Sequence, residues 1–283
     1  MRSSGRIWNA KGAHSYNFNF VKIGENREEL GRYSMTAMIM LKASFLIMAG
    51  FAAGLSATIA GIASIFSYPA LLIIGLNPID ANITNSFSLT LLGLGSSISS
   101  KPEWSPHRVN LKKLAPFFLI GGVCGAVLLI HTSPENFKII VPFLLLASSI
   151  AILLPASSRV NSRSRIRLAL FTVLAAIIGM YCGYFGAASG GMTIALLMRM
   201  YGLTIPVAHA LKNVLLSISN GVAAIFFLFS GHIHWLVSIP LAIGFFFGGR
   251  TGPKIVRRVR QDYIKYIVAA SGTALAIYLL IKR

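Results

Sequence analysis

Two short polar blocks interrupt an otherwise apolar sequence: Asp80-Ala-Asn82-Ile-Thr84-Asn85 and His209-Ala-Leu211-Lys212-Asn213. Each follows a proline, Pro78 or Pro206, and the proline-to-asparagine spacing is identical in both. A proline opening an apolar run predicts a helix start, where backbone N–H groups lack partners and a partial positive charge favours an oxyanion. The Thr84 hydroxyl, the Asn85 and Asn213 amides and the Lys212 ammonium add neutral donors and one charge, the chemistry of an anion site. His209 opens the second block. Each residue also has a structural role open to it. A lysine inside a membrane span costs roughly 2.5–3.5 kcal/mol unless it lines water or snorkels to the interface. Asn85 and Asn213 would serve equally as interhelical hydrogen bonds locking the halves together.

Other chemistry finds little support. The acidic residues are Glu25, Glu28, Glu29, Asp80, Glu103, Glu135 and Asp262, and each lies in a terminus or at the edge of an apolar run. Proton and sodium relays usually bury an Asp or Glu in the membrane, so a carboxylate-based cation pump is disfavoured. Ser189 has no acid and histidine at membrane depth to complete a triad, so no catalytic residue is assigned and no enzyme is expected. His232 and His234 supply too few ligands for a metal and read as solvated loop histidines. Arg199 and Arg250 read as interfacial anchors. Cys124 and Cys182 fall in apolar runs without ligand spacing and read as small packing residues. No cofactor is implied.

The elements that must position these groups belong to a membrane. Of 283 residues, 55% are hydrophobic and 12% charged, and the mean hydropathy of +0.72 is more than a water-soluble domain of this length can cover. The net charge of +19 sits in the gaps between apolar runs, which points to lipid headgroups and the positive-inside bias rather than nucleic acid. Apolar runs occupy about 41–75, 81–99, 111–132, 136–154, 168–200, 207–230, 234–250 and 262–281. The fold expected is an all-α integral membrane protein of about eight transmembrane helices. That number rises to nine or ten if the two long runs, 41–75 and 168–200, each cross twice.

Both long runs carry small-residue clusters, Gly54–Ser64 and Gly183–Gly191, and the second contains Gly186 and Gly190. Such clusters predict unwound backbone, which inside a membrane must line a cavity or be buried in protein. They also open a repeat. Gly50, Gly54, Gly75, Pro78 and Asn85 are echoed by Gly179, Gly183, Gly202, Pro206 and Asn213; Trp104, Pro116, Gly121 and Gly125 are echoed by Trp235, Pro240, Gly244 and Gly248. The division is therefore a polar, basic extension over 1–40 expected to lack regular structure, a first membrane repeat over 41–154, a basic loop over 155–167 and a second repeat over 168–283. Paired, interrupted helices in two halves are the pattern of a secondary transporter with its site between them. Eight crossings would export the basic group Lys254, Arg257, Arg258 and Arg260. Two crossings in each long run, with the N-terminus outside, would make that group, the group Lys101, Arg108, Lys112 and Lys113 and the group Arg159, Arg163, Arg165 and Arg167 all cytoplasmic and the repeats inverted.

The blocks also carry a family resemblance. Pro69-Ala-Leu-Leu, Gly75-Leu-Asn-Pro78 and Ala81-Asn-Ile-Thr-Asn85 resemble the first-repeat signature of the sulfite exporter TauE/SafE family. Gly183-Tyr-Phe-Gly186-Ala and His209-Ala-Leu-Lys-Asn213 resemble its second-repeat elements, and Pro134-Glu135 with Phe137 resembles its linker. The dense glycine run usual before Pro69 is here Gly61-Ile-Ala-Ser-Ile-Phe-Ser-Tyr68. The resemblance implies a cell-membrane transporter of sulfite, organosulfonate or a related anion, usually moved outward. On this reading Thr84, Asn85, His209, Gly186, Gly190, Lys212 and Asn213 bind the substrate, and the partners are a small anion and membrane lipids. The competing reading is a non-transporting membrane scaffold.

Overall fold

The computed structural model describes residues 13–153, 165–187 and 189–258, and isolated positions beyond. The chain divides into two units, residues 1–43 and 44–283. In the first, the extension expected to lack regular structure is helical from Ala13 onward, part of α1 (Ala13–Ala60). Residues 1–12 lie outside the described residues, as do 154–164 of the basic loop and most of the run 262–281.

The regular elements among the described residues of the second unit are all helices. After α1 come α2 (Ser64–Ile73), α3 (Pro78–Ser99), the short α4 (Lys101–Trp104), α5 (Arg108–Ile130), α6 (Pro134–Leu153) and α7 (Arg165–Tyr184). Then follow α8 (Ser189–Tyr201), α9 (Ile205–Leu228) and α10 (Trp235–Val256). Met35–Ala60, Lys101–Ile130 and Ile205–Leu228 are each long and apolar enough to cross a membrane. Large apolar side chains such as Ile120, Val173, Ile225 and Leu236 are exposed along the helices, the surface of a protein whose solvent is lipid.

Both long runs break inside their small-residue clusters, at Gly61–Ala63 between α1 and α2 and at residues 185–187 after α7. Gly61 has φ +83°, and a Cβ there would fall 2.6 Å from the backbone nitrogen of Gly191. The two breaks therefore meet backbone to backbone, an approach only glycine allows. Past the first break, α2 leads back through a turn to α3. Pro78 opens α3, and the Asn77 Oδ1 accepts from the Asp80 backbone nitrogen at 2.9 Å to cap it.

Contacts between distant residues fix the helix directions. Asp80, at the start of α3, meets His232 and His234, just before α10. Glu103, past the end of α3, meets Arg257, past the end of α10. Thus α3 and α10 run parallel, from an Asp80 end to a Glu103 end. α9 starts at the Glu103 end, where Pro206 and His209 share a cavity with Glu103 and Arg257, and so runs opposite to α3. Glycines seat the remaining pairs. A Cβ on Gly50 would lie 3.2 Å from the Gly244 Cα, and one on Gly54 would lie 3.0 Å from the Gly248 Cα. Gly121 and Gly125 of α5 approach Gly179 and Gly183 of α7 in the same way. α1 therefore runs with α10, α7 runs with α5, and the residues of each half pack on the glycines of the other.

Candidate functional site

The helix ends left by the two breaks are held by side chains from the opposite half. A helix leaves its last carbonyls without internal partners. At the end of α1, Lys212 of α9 donates from Nζ to the Ala57 carbonyl at 2.7 Å and to the Thr58 carbonyl at 3.4 Å. His209, one turn earlier, bonds the same Thr58 carbonyl through Nδ1 at 2.9 Å. At the end of α7, the Asn82 amide donates to the Tyr184 carbonyl at 2.8 Å. Lys212 is only 2% exposed; its stem does not snorkel to an interface. Among the described residues, no carboxylate shares the cavity it lines.

That cavity is small and lies between the halves. Lys212, Asn213, Ser217 and Asn220 of α9 form one wall, facing Gly61, Gly186 and Ser189 at the breaks and Leu89 and Gly93 of α3. Of the residues expected to bind substrate, it gathers Lys212, Asn213 and Gly186. Gly190 lies just behind the lining, a Cβ on it falling 2.7 Å from the Gly61 carbonyl oxygen. His209 lies instead on a second, smaller cavity, with Thr58, Ser100, Glu103 and Arg257, and Asn213 lines both. Thr84 and Asn85 are buried away from both linings. The Thr84 hydroxyl accepts from the His234 backbone nitrogen at 3.3 Å, and neither end of the Asn85 amide has a hydrogen-bond partner.

Asn220 and Ser189 were not singled out as ligands from sequence. Asn220 lies seven residues, two helical turns, after Asn213 on the same face of α9, and that spacing was the available signal. Ser189 had been weighed only as a nucleophile. Its hydroxyl donates to the Gly186 carbonyl at 2.9 Å, and its oxygen keeps acceptor capacity only.

Each end of the bundle carries an ionic tie between halves. At the Glu103 end, Arg257 donates from Nε and Nη2 to the two Glu103 oxygens at 2.6 and 2.9 Å, and from Nη2 to the Ser99 carbonyl at 3.0 Å. At the Asp80 end, His232 and His234 are the exposed loop histidines expected, and both meet one carboxylate. His232 Nδ1 lies 2.8 Å from one Asp80 oxygen and His234 Nε2 lies 3.0 Å from the other. Partial burial pushes the Asp80 pKa up, but the hydrogen bonds and charge of His234 and His232 outweigh it and hold the carboxyl below its ordinary 3.8.

The model of the sulfite exporter TauE/SafE family matches residues 46–279. The chain belongs to that family. A probable membrane transporter protein of Sinorhizobium sp. is 33% identical over 84% of this chain and 92% of its own length. One from Haemophilus influenzae is 29% identical over 80% and 89%, and the probable membrane transporter protein YfcA of Escherichia coli K12 is 25% identical over 87% and 91%. No solved structure matches. The family match covers both polar blocks, both breaks and both cavities, and leaves outside it the N-terminal extension.

Proposed function

We propose that the protein is a multi-pass secondary transporter of the cell membrane that carries a small sulfur-containing anion, sulfite or an organosulfonate, outward by alternating access. The observation that carries this reading is Lys212: a buried ammonium on the wall of a cavity between the halves, with no carboxylate on that wall among the described residues. An uncompensated buried charge is costly, and a bound anion is the counter-charge such a cavity takes. Asn213 and Asn220 add amide donors to the same wall. The antiparallel course of α3 and α9 supports inverted repeats, each with a broken helix that enters and returns at one end. Lys101, Arg108, Lys112, Lys254 and Arg258 neighbour the Glu103 end in sequence, so the positive-inside rule makes that end cytoplasmic. Outward movement of an anion from a negative-inside cell is downhill by about 2.3 kcal/mol per charge per 100 mV.

The test is flux of labelled sulfite, sulfate, thiosulfate and a sulfonate into proteoliposomes under an imposed potential, for the native chain, Lys212→Ala and Asn213→Ala. Saturable, potential-sensitive flux in the native protein, lost in both variants, is expected. Folded native protein that moves none of the four would overturn the proposal in favour of the membrane scaffold.

A further inference from the structure

The second half brings an ammonium, that of Lys212, to the carbonyls that end α1. Counting from the prolines that open α3 and α9, the position equivalent to Lys212 is Thr84, so the first half brings no charge to the end of α7. It brings oxygens. Asn82, Asn85 and Ser86 lie at i, i+3 and i+4 of α3 and share a face, and the Asn82 amide bond to the Tyr184 carbonyl turns that face onto the end of α7. The Asn82 Oδ1, the Asn85 Oδ1 and the Ser86 Oγ are buried without a hydrogen-bond partner, and their residues are 1%, 0% and 1% exposed.

A fourth oxygen comes from α2. Ser64 Oγ is also buried and unpartnered. It precedes Tyr68 by one turn on the same face, and the Tyr68 ring packs edge-on against Phe185, the residue after α7, with centroids 5.7 Å apart. Buried polar atoms are nearly always satisfied, and a group of them without partners points to an ion or ordered water. We propose that these four oxygens, with the last carbonyls of α7, form a binding site for a monovalent cation, sodium by chemical class, which takes at α7 the place the Lys212 ammonium takes at α1.

The chemistry of the set decides the class. A helix C-terminus carries partial negative charge and favours a cation, and the carbonyls of interrupted membrane helices are known ligands for sodium. All the ligands are neutral amide, hydroxyl and carbonyl oxygens, whereas calcium sites bring carboxylates. The Asn85 Nδ2 remains a donor, one turn before Leu89, where the wall of the anion cavity begins. A cation that stays bound leaves the charge moved per anion, and so potential-driven export, unchanged.

The experiment is thermal unfolding of the purified full-length protein in sodium, potassium or choline chloride at equal ionic strength, without any transported anion. A saturable rise specific to sodium is expected, about 3–6 °C at ten times the dissociation constant. Ser86→Ala and Asn85→Ala should weaken it at least severalfold, and Lys212→Met should keep it. Equal melting in the three salts, or a sodium shift undiminished in Ser86→Ala, overturns the proposal; should Asn85→Ala fail to fold, Ser86→Ala decides. The melt involves no flux, so a positive melt with no transport sinks only the transport reading, and the reverse result sinks only the cation site.

Discussion

Replacing Glu103 with Gln should open the second cavity to water by a calculable amount. The Glu103–Arg257 pair lies over the cavity that leads past His209 to Asn213, and Arg257 is anchored on Ser99 as well. The pair joins α4 of one half to the end of α10 of the other, so it is present only where those ends stay together. Its side chains are 38% and 20% exposed, which keeps it in the range of surface pairs. The two-pronged geometry puts it near the top of that range, about 1 kcal/mol. At 1.4 kcal/mol per tenfold, loss of the pair shifts the balance toward the form open at this end by about fivefold.

Ser100 reports that shift, since it lines the cavity and is 2% exposed. On a background of Cys124→Ala and Cys182→Ala, a Ser100→Cys variant should react with a charged thiosulfonate slowly, and up to about fivefold faster once Glu103→Gln is added. Exchanging the charges, Glu103→Arg with Arg257→Glu, should return the slow rate. An unchanged rate in folded Glu103→Gln protein refutes the reasoning. So does an exchanged pair as reactive as the single variant, because a tie between the halves depends on the attraction and not on which side carries each sign.

Three further outcomes follow from the same contacts. Flux of a sulfur anion should vanish in Lys212→Ala and Asn213→Ala while both remain folded, as read in proteoliposomes. Gly54→Leu should destabilise the bundle by about 1–3 kcal/mol or more, because even a Cβ there meets the Gly248 Cα at 3.0 Å; a monodisperse, unshifted melt in detergent would contradict the α1–α10 contact. The depressed Asp80 carboxyl contributes stability that is fully present above its unfolded pKa and is lost as pH falls through its lower folded value. The melting difference between native protein and Asp80→Asn should therefore be larger at pH 5 than below about pH 4; a difference unchanged from pH 5 to pH 3 would remove the histidine tie.

The features legible in sequence were those set by local chemistry. Glycine clusters announced the helix breaks because they weaken helix wherever they occur. Lys212 announced itself because a charge in an apolar run has few tolerable settings. The partners of these groups were not legible, because every one comes from the other half of the chain. Lys212 bonds a carbonyl 155 residues away, and Asp80 and Glu103 find their partners at separations of 152 and 154. Equal spacing after a proline made Asn85 and Asn213 equivalent in sequence, and equivalence was read as proximity. In the bundle α3 and α9 run opposite ways, and Asn213 reaches both cavities while Asn85 lines neither.

On the proposed function, Lys212 has to hold an anion while it holds the end of α1. An ammonium has three donors. The Ala57 carbonyl takes one at 2.7 Å and the Thr58 carbonyl, which His209 also serves, takes another at the long distance of 3.4 Å. One donor is left for the cavity, and the Thr58 bond is the weaker of the two already made. An anion entering beside Asn213 and Asn220 therefore competes first with a carbonyl that His209 can satisfy without help. Binding substrate then loosens one bond at the end of α1 while the Ala57 bond keeps the lysine in place. Since α1 packs on α10 through Gly50 and Gly54, and α10 ends at the Arg257 tie, the group that senses the anion and the contact that closes the Glu103 end belong to one packed pair of helices.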